Sequence, residues 1–301
     1  EEAYLAPDKP LLIDEYLGHA TELDVDAAAD GEQVLVGAIM EHLEQAGIHS
    51  GDSTCFIPTQ NISQEMLKRV DEQTRIIGLK LKIKGCYNIQ FAIQGDNLYC
   101  LEVNPRSSRT VPFVAKSTGL PMARIAARIT IGIPLSQQEI PRRTTGHVCV
   151  KAPVFPFIKL RGLDPAPGPE MKSTGEVFGS DIRADLAYLK ARLATEIPVA
   201  TEGGAYLTVR EEDKAALVPI AQSLIDLNFT IFATPGTADV LRKANIPVTT
   251  SYRIAERMHP DSLDLMRKGD VNFIVNVPTI SGGAVRDGNM MRRLAVELNI
   301  P

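Results

Sequence analysis

Two apolar segments joined by a turn signal constrain the fold of this chain most strongly. Residues 87–93 and 98–103 are rich in apolar and aromatic side chains, which predicts β-strands. Gly95-Asp96-Asn97 lies between them as a turn signal. A three-residue loop there would place Gln90 directly across from Glu102. The sequence therefore predicts an antiparallel hairpin.

The end of this hairpin carries oxygen donors followed by guanidinium groups. Successive side chains of a strand point to opposite faces, so Glu102 and Asn104 share a face. Pro105 cannot donate to a strand ladder, so we expect the strand to end just before Arg106 and Arg109. Oxygen ligands with guanidinium groups beyond them suit a complex of Mg²⁺ with a polyphosphate. The alternative is an ordinary solvated hairpin face.

The hairpin and the residues after it resemble a known family. The run CLEVNPRSSRTVPFVAKSTGLPMARIAARITIG, residues 100–132, is similar to the large subunit of carbamoyl phosphate synthetase. That subunit carries two tandem ATP-grasp halves followed by a regulatory domain, and TVPFVAKSTG resembles the second half, which phosphorylates carbamate. Because the family's large subunit is far longer, the resemblance implies that this chain is a fragment that starts inside the second half.

Composition narrows the class of protein. The chain is 44% hydrophobic and 23% charged, as expected of a soluble globular protein. Its net charge of −5 and its lack of a Lys/Arg cluster argue against a nucleic-acid partner. No apolar run approaches the roughly 18 residues that a membrane helix needs, so no membrane partner is expected. The widely spaced cysteines favour reduced thiols and a cytoplasmic protein: Cys55, Cys86, Cys100 and Cys149.

Residues 1–195 are predicted to form the C-terminal part of an α+β ATP-grasp domain. Residues 133–180 are rich in Pro and Gly and show little periodicity. The predicted elements of this unit are strands at 11–13, 22–27 and 34–39, a turn at Gly31, a helix over 63–81, the hairpin, a helix from Pro121 to a stop at Gly132, and a helix at 181–193.

Residues 196–301 are predicted to form an α/β domain with a doubly wound parallel sheet, because strands alternate with helices there. The segment resembles the methylglyoxal-synthase-like domain that ends the family's large subunit and serves as its allosteric module, here truncated at its C-terminus. The predicted strands lie at 205–209, 229–233, 248–252 and 271–276, and the predicted helices at 213–227, 237–245, 261–268 and 288–298.

The resemblance implies an ATP site on the first unit. Mg²⁺ or Mn²⁺ would be held by Gln90, Glu102 and Asn104, with Arg106 and Asn104 in catalytic roles; K⁺ is a further cofactor that the resemblance allows. The implied ATP-binding residues are Asp14, Tyr16, Leu17, Glu22, Gly47, Ile48, His49, Ser50, Gln90 and Glu102.

Within this set, Glu22 matches the carboxylate that takes the ribose hydroxyls, and a carboxylate can accept from both. The alternatives are a solvated strand face for Glu22 and a structural ion pair for Arg109.

A second site is implied at the start of a helix in the second unit. Thr234-Pro235-Gly236-Thr237 follows a predicted strand and opens a helix, so its N–H groups and the helix dipole would face an anion. The alternative is a mere strand–helix turn. By resemblance the effector is UMP or IMP, and its ligands are Lys214, Thr234, Thr237, Arg253 and Asn276.

Two departures from the family bear on regulation. Val277-Pro278 stands where the family's common bacterial form has a Thr-Thr pair, which leaves the nucleotide open. Glu44 and Asp52 match two acidic residues of an ornithine site, but Ala152 replaces the third and removes a ligand for the cation. Ornithine activation is therefore expected to be weak or absent.

Two functions follow as alternatives. In the first, the chain is part of a glutamine-dependent carbamoyl phosphate synthetase that serves pyrimidine biosynthesis, arginine biosynthesis or both. Its partners would be a small glutaminase subunit and the rest of the large subunit, and this chain alone is expected to be inactive. The second is a nucleotide-binding regulatory module only. Methylglyoxal synthase activity is disfavoured because residues 234–237 supply no catalytic carboxylate, although Asp239 is close by in the sequence.

Overall fold

The computed structural model describes residues 17–18, 20–141, 146–157, 165–195, 197–279 and 283–301. The chain divides into two compact units, Glu1–Val150 and Lys151–Pro301. The division at residue 150 reflects compactness, whereas the predicted boundary near residue 196 separates two homologous domains. The predicted boundary therefore stays a prediction. The strand predicted at 11–13 lies outside the described residues.

The first unit is built mainly from antiparallel strand pairs. It contains the predicted turn at Gly31. Gly31 has φ +94° and turns the chain between the first two strands. The elements are strands β1 (Thr21–Asp30), β2 (Val34–Gln45) and β3 (Cys55–Ile57), helix α1 (Gln64–Lys80), strands β4 (Lys84–Gln94) and β5 (Asn97–Asn104), and helices α2 (Val111–Thr118) and α3 (Met122–Thr130).

Strand β1 is the centre of an antiparallel arrangement. It pairs with β2 on one side and with β4 on the other, while β3 pairs with β2 and β5 with β4. Strands β1 to β5 thus have the order β5-β4-β1-β2-β3. Two further strands, β6 (Val148–Val154) and β7 (Gly175–Asp181), follow later in the chain. The sheet thus places β1, β4 and β5 side by side, which positions the candidate site.

The two faces of this sheet bury different helices. Leu23 and Ile89 belong to one apolar cluster with Val70 of α1. Met40 of β2 belongs to another cluster, which includes residues of α2 and α3 such as Met122. Helix α3 confirms the helix predicted to begin at Pro121, and its buried residues form one apolar stripe: Met122, Ile125, Ala126 and Ile129.

Among the described part of the first 195 residues, four strands and helices were not predicted: β3, α2, β6 and β7. Helix α2 fills the segment before Pro121, and β6 and β7 fall in the Pro- and Gly-rich stretch, where periodicity is weak. Helix α4 (Ala184–Leu193) follows β7 and confirms the helix predicted at 181–193. It packs on β7 through Ala187 and Ala191, which lie close to Gly179.

The remainder of the second unit alternates strands and helices as predicted. Its parallel sheet has the order β10-β9-β8-β11, and the third predicted strand is reduced to two residues. The elements are β8 (Gly203–Val209), α5 (Lys214–Asp226), β9 (Phe229–Ala233), α6 (Pro235–Lys243), β10 (Thr249–Thr250), α7 (Ser262–Lys268), β11 (Phe273–Val277) and α8 (Gly283–Leu298). Among the described helices, none combines the length and apolar content that a membrane crossing requires.

Candidate functional site

Three neighbouring strands of the first unit present polar side chains on one face. In the two ladders Asp24 pairs with Gln90, and Gln90 pairs with Glu102. Directly opposed residues point to the same side of a sheet, so these three form a row. The next row is Asp26, Asn88 and Asn104. We call these six residues, with Glu22 two positions before Asp24, the polar face.

The predicted pairing of Gln90 with Glu102 is confirmed, but the loop that was expected to produce it is wrong. Gln94 pairs with Asn97, so the connection has two residues, Gly95 and Asp96. A register shift between Gln90 and Phe91 leaves Leu101 as an extra residue in β5. This bulge compensates for the shorter loop and returns Glu102 to its place across from Gln90.

The loop after β2 contacts the polar face directly. The Gly47 N–H donates to Glu22 Oε2 at 3.3 Å, and Gln90 Nε2 donates to Ser50 Oγ at 3.1 Å. The second bond uses the amide nitrogen of Gln90 and not its oxygen. His49 Nδ1 accepts from the Gly51 N–H at 3.0 Å, which fixes the ring at the edge of the loop. The structure thus brings together Glu22, Gly47, Ser50 and Gln90, as the resemblance implied.

Glu22 occupies an unusual electrostatic position. Its side chain is buried, with 2% of the residue exposed, so the solvated-face alternative is wrong. Burial raises the pKa of its carboxyl to about 7; the Gly47 N–H opposes this change, and the charge of Glu102 adds to it. His42 Nδ1 lies 3.6 Å from Glu22 Oε1. Glu22 and Glu102, two of the predicted ATP-site residues, lie on the two strands that flank β4.

The outer part of the site is open to solvent. Glu102, Arg106 and Arg109 are exposed, whereas Asn104 is half-buried at the end of β5, where the strand was predicted to stop. Arg106 Nη1 makes a 3.4 Å hydrogen bond to the carbonyl of Ser107. Leu17 and Ile48 are half-buried, and Asp14 and Tyr16 lie outside the described residues.

A buried hydrogen-bond network that joins the polar face to the segment after β5 was not predicted. Asp26 Oδ1 accepts from Ser108 Oγ at 2.6 Å and from Asn88 Nδ2 at 3.0 Å, and Asp26 Oδ2 accepts from Thr110 Oγ1 at 2.6 Å. Asn88 Nδ2 also donates to Asp24 Oδ1 at 2.5 Å. These bonds fasten the segment that follows β5 to β1. The sequence did carry one signal for this network: Glu22, Asp24 and Asp26 occupy alternate positions of one buried strand.

The two acids assigned to an ornithine-type site have structural contacts. Glu44 Oε2 accepts from the Thr54 N–H at 2.6 Å. Asp52 is buried in a short 3-10 turn, Ser50–Asp52. Ala152 is buried in β6 and offers no polar side-chain atom.

A separate cavity of about 380 Å³ lies in the second unit. It opens where β8, β9 and β11 end, as expected for a parallel sheet. All five residues of the predicted effector site line it: Lys214, Thr234, Thr237, Arg253 and Asn276. Its lining also includes Val277 and Pro278, which depart from the family's bacterial form.

One end of this cavity is suited to an anion. Helix α6 begins there, and its N-cap residue Thr234 makes no side-chain capping bond. The N–H groups of Gly236 and Thr237 are in the first turn, where a helix offers no internal acceptor. Thr234 Oγ1 lies 3.4 Å from Thr237 Oγ1 and 3.2 Å from Thr208 Oγ1. Backbone and hydroxyl donors therefore converge on this end.

Residues that were not predicted line the rest of the cavity. Tyr206 is buried and bonds to Ser251 Oγ through its hydroxyl at 2.9 Å. Burial raises the pKa of this phenol. Ile254 and Met291 add apolar surface, and Asp287 adds a carboxylate. This combination suits a ligand with a phosphate at one end and a flatter, partly apolar group at the other.

Two family models match separate parts of the chain. The family model described as "Carbamoyl-phosphate synthase L chain, ATP binding domain" matches residues 2–138, and the "MGS-like domain" model matches residues 216–301. Among solved structures, the biotin carboxylase domain of a single-chain bacterial carboxylase is similar over 46% of this chain and 34% of that chain, at 17% identity and a TM-score of 0.41.

Curated relatives match along the whole sequence. The carbamoyl phosphate synthase large chain of Methanosarcina barkeri is 43% identical over 302 residues, which is 100% of this chain and 75% of that protein. The C-terminal section of the Methanocaldococcus jannaschii large chain is 43% identical over 100% of this chain and 50% of its own length. This chain spans only 28% of the Methanocorpusculum labreanum large chain, at 44% identity.

The two domain matches and the relatives lead to one conclusion. The chain belongs to the carbamoyl phosphate synthase large-chain family and combines that family's ATP-binding domain with an MGS-like domain.

Proposed function

We propose that this chain supplies the carbamate-phosphorylating site of a glutamine-dependent carbamoyl phosphate synthase, together with a nucleotide-responsive regulatory pocket. The observation that carries the proposal is the polar face, which aligns Gln90, Glu102 and Asn104 beside the buried Glu22. The substrates would be ATP and carbamate, and the product carbamoyl phosphate. The glutaminase subunit, the rest of the large chain, a cytoplasmic location and a role in pyrimidine or arginine synthesis belong to the same proposal.

The donor set fits magnesium. A carboxylate and two side-chain amides supply hard oxygen ligands, and Mg²⁺ or Mn²⁺ prefers these together with substrate phosphates. Gln90, Glu102 and Asn104 would hold the metal. When bound, it would neutralise negative charge on the ATP phosphates. K⁺ remains a further proposed cofactor.

The chain's own residues would orient the nucleotide and stabilise the transferred group. Glu22 would accept from the ribose hydroxyls, and the loop with Gly47, Ile48, His49 and Ser50 would flank the ribose and base. The exposed Arg106 guanidinium would balance charge that develops as the γ-phosphoryl group passes to carbamate. Asp14, Tyr16 and Leu17 are proposed for the adenine pocket. Placement and electrostatics carry such a reaction more than proton transfer does.

The cavity of the second unit is proposed to bind a nucleoside monophosphate, UMP or IMP. Its phosphate would lie against the first turn of α6, with Lys214, Thr234 and Thr237 as ligands. Arg253 and Asn276 would contact the remainder of the nucleotide.

This pocket also favours the second candidate function, in which the chain acts only as a nucleotide-binding regulatory module. The observation behind it is the formed cavity, whose predicted ligands are already assembled. Titration of the intact chain with Mg-ATP separates the candidates. Binding that the Glu22→Ala change abolishes supports the ATP site, and its absence while UMP or IMP still binds favours the regulatory module.

The regulatory claim has its own test. UMP and IMP are titrated into the chain by calorimetry, with Thr237→Ala as the pocket variant. Binding that the substitution abolishes supports the effector site and identifies its ligand. If neither nucleotide binds to the folded protein, the regulatory proposal is wrong.

Ornithine is proposed to have little effect. Ala152 removes one acidic ligand, and Glu44 already accepts from the Thr54 N–H. The measurement is synthase activity of the complete enzyme with and without ornithine, for which we expect weak stimulation or none. Strong stimulation would contradict this proposal.

A further inference from the structure

Lys214 lies where a helix already presents positive potential. If Gly236 carried a Cβ atom, Lys214 Nζ would lie 3.1 Å from it, so the ammonium group reaches the first turn of α6 because Gly236 has no side chain. The N-terminus of a helix carries partial positive charge, which disfavours a second cation. A negative group beside Lys214 would therefore stabilise this arrangement.

In this structure Glu211 provides that group. Its Oε2 lies 2.5 Å from Lys214 Nζ. The Lys214 side chain is 14% exposed and the Glu211 side chain 85% exposed, so the carboxylate meets the lysine at the solvent side. Both residues line the cavity. Glu211 thus occupies the lysine on which the proposed phosphate would depend.

The two neighbouring acids have a different partner. Glu212 Oε1 and Asp213 Oδ2 lie 2.7 Å and 2.5 Å from Arg210 Nε. Within this short acidic turn, Glu211 is the residue whose carboxylate contacts Lys214.

We propose that Glu211 is a built-in counter-ion that competes with an anionic ligand for Lys214. The inference rests on the proposed effector function of this pocket and adds its regulation. An exposed ion pair is weak, so an entering phosphate group can break it and replace one carboxylate with its own oxygens. Glu211 then swings into solvent, and its charge continues to repel the ligand. The residue would therefore lower affinity rather than contribute to binding.

The test is calorimetric titration of the whole chain with inorganic phosphate, and then with UMP, at low ionic strength. We expect Glu211→Gln to tighten phosphate binding by about three- to tenfold, with the gain shrinking as salt is added. Glu297→Gln removes an equal charge from an exposed position that does not line the cavity. This control should bind like the unmodified chain.

A third variant separates failure of this inference from failure of the pocket itself. Lys214→Ala should abolish phosphate binding. If it does, and Glu211→Gln binds no more tightly than the unmodified chain, the counter-ion proposal is wrong and the pocket's function stands. If Lys214→Ala binds phosphate normally, the proposed effector site is wrong as well. Absence of binding to Glu211→Gln would also overturn the counter-ion proposal.

Discussion

Glu22 is the residue that connects the polar face with the loop after β2. Its carboxylate accepts a hydrogen bond from the Gly47 N–H and lies near His42, and the negative charge of Glu102 raises its pKa. Its carboxyl has a pKa of about 7 in the folded chain, against an ordinary value of 4.5. The folded chain therefore retains this proton over a pH range in which the unfolded chain releases it, which links stability to pH.

We expect Glu22 to make the protein less stable as pH rises from about 4.5 through about 7. The folded state binds more protons than the unfolded state in that window, so the free energy of unfolding falls. The pKa difference corresponds to roughly 3 kcal/mol. Glu22→Gln should remove this dependence. Urea denaturation at pH 5 and pH 8 should show a variant of similar stability at pH 5 and greater stability at pH 8.

Glu32→Gln is the matched control for this experiment, because Glu32 is exposed. Its stability relative to the unmodified chain should be the same at both pH values. A constant difference for Glu22→Gln across the two pH values would contradict the raised pKa.

Thr110 should matter for stability through its bond to Asp26. Thr110→Val keeps the shape of the side chain but removes the hydroxyl that donates to the buried carboxylate at 2.6 Å. We expect a loss of about 1–3 kcal/mol in the free energy of unfolding, since a buried charged acceptor loses a donor. Thr130→Val removes an exposed hydroxyl that bonds within α3, and we expect less than about 0.5 kcal/mol. Equal effects would contradict the network's importance.

At this scale, short-range patterns were predictable and long-range networks were not. The positions of Glu102 and Asn104 followed from the two-residue period of a strand and from the hairpin. Asp26 bonds to residues 62 and 84 positions away, and no local period indicates such partners.

Among the elements, turn residues led to a wrong loop length between β4 and β5, and the signals for helix α2 were overlooked. A two-residue loop was predicted as three residues because Asn97 reads equally well as a turn residue. The bulge at Leu101 has no sequence signal, yet it restores the pairing. Helix α2 did have a signal: Pro112 lies in its first turn, and Gly119 ends it at φ +72°.

Helix α4 depends on a close approach to β7, and Gly179 should be intolerant of substitution. A Cβ atom at Gly179 would lie 2.2 Å from the Ala187 carbonyl oxygen and 2.5 Å from the Ala191 nitrogen. Both atoms belong to the backbone, so the helix itself would have to move. We expect Gly179→Ala to cost about 1–3 kcal/mol in the free energy of unfolding.

Gly175 offers a control on the same strand, because nothing lies within 4 Å of a Cβ atom there. Gly175→Ala should leave urea denaturation almost unchanged. Tolerance of Gly179→Ala at the level of Gly175→Ala would mean that the packing of α4 on β7 is not as close as described.

For the whole molecule, the two candidate sites lie in two units of different architecture. The alternation of strands and helices made the parallel sheet of the second unit predictable. Strands β6 and β7 were harder to predict, because Pro and Gly residues in this part of the chain obscure the two-residue period of a strand. Each candidate site is contained in its own unit, so each can be tested by variants that leave the other intact.

The central proposal is that the polar face carries phosphoryl transfer between ATP and carbamate. The most direct measurement is ATP formation from carbamoyl phosphate and Mg-ADP by a large chain that contains this region, which needs no glutamine. We expect Glu102→Gln to lower the rate about a hundredfold or more, because the proposed metal ligand would lose its charge. Glu32→Gln should leave the rate unchanged. A normal rate with Glu102→Gln would contradict the placement of the reaction on this face.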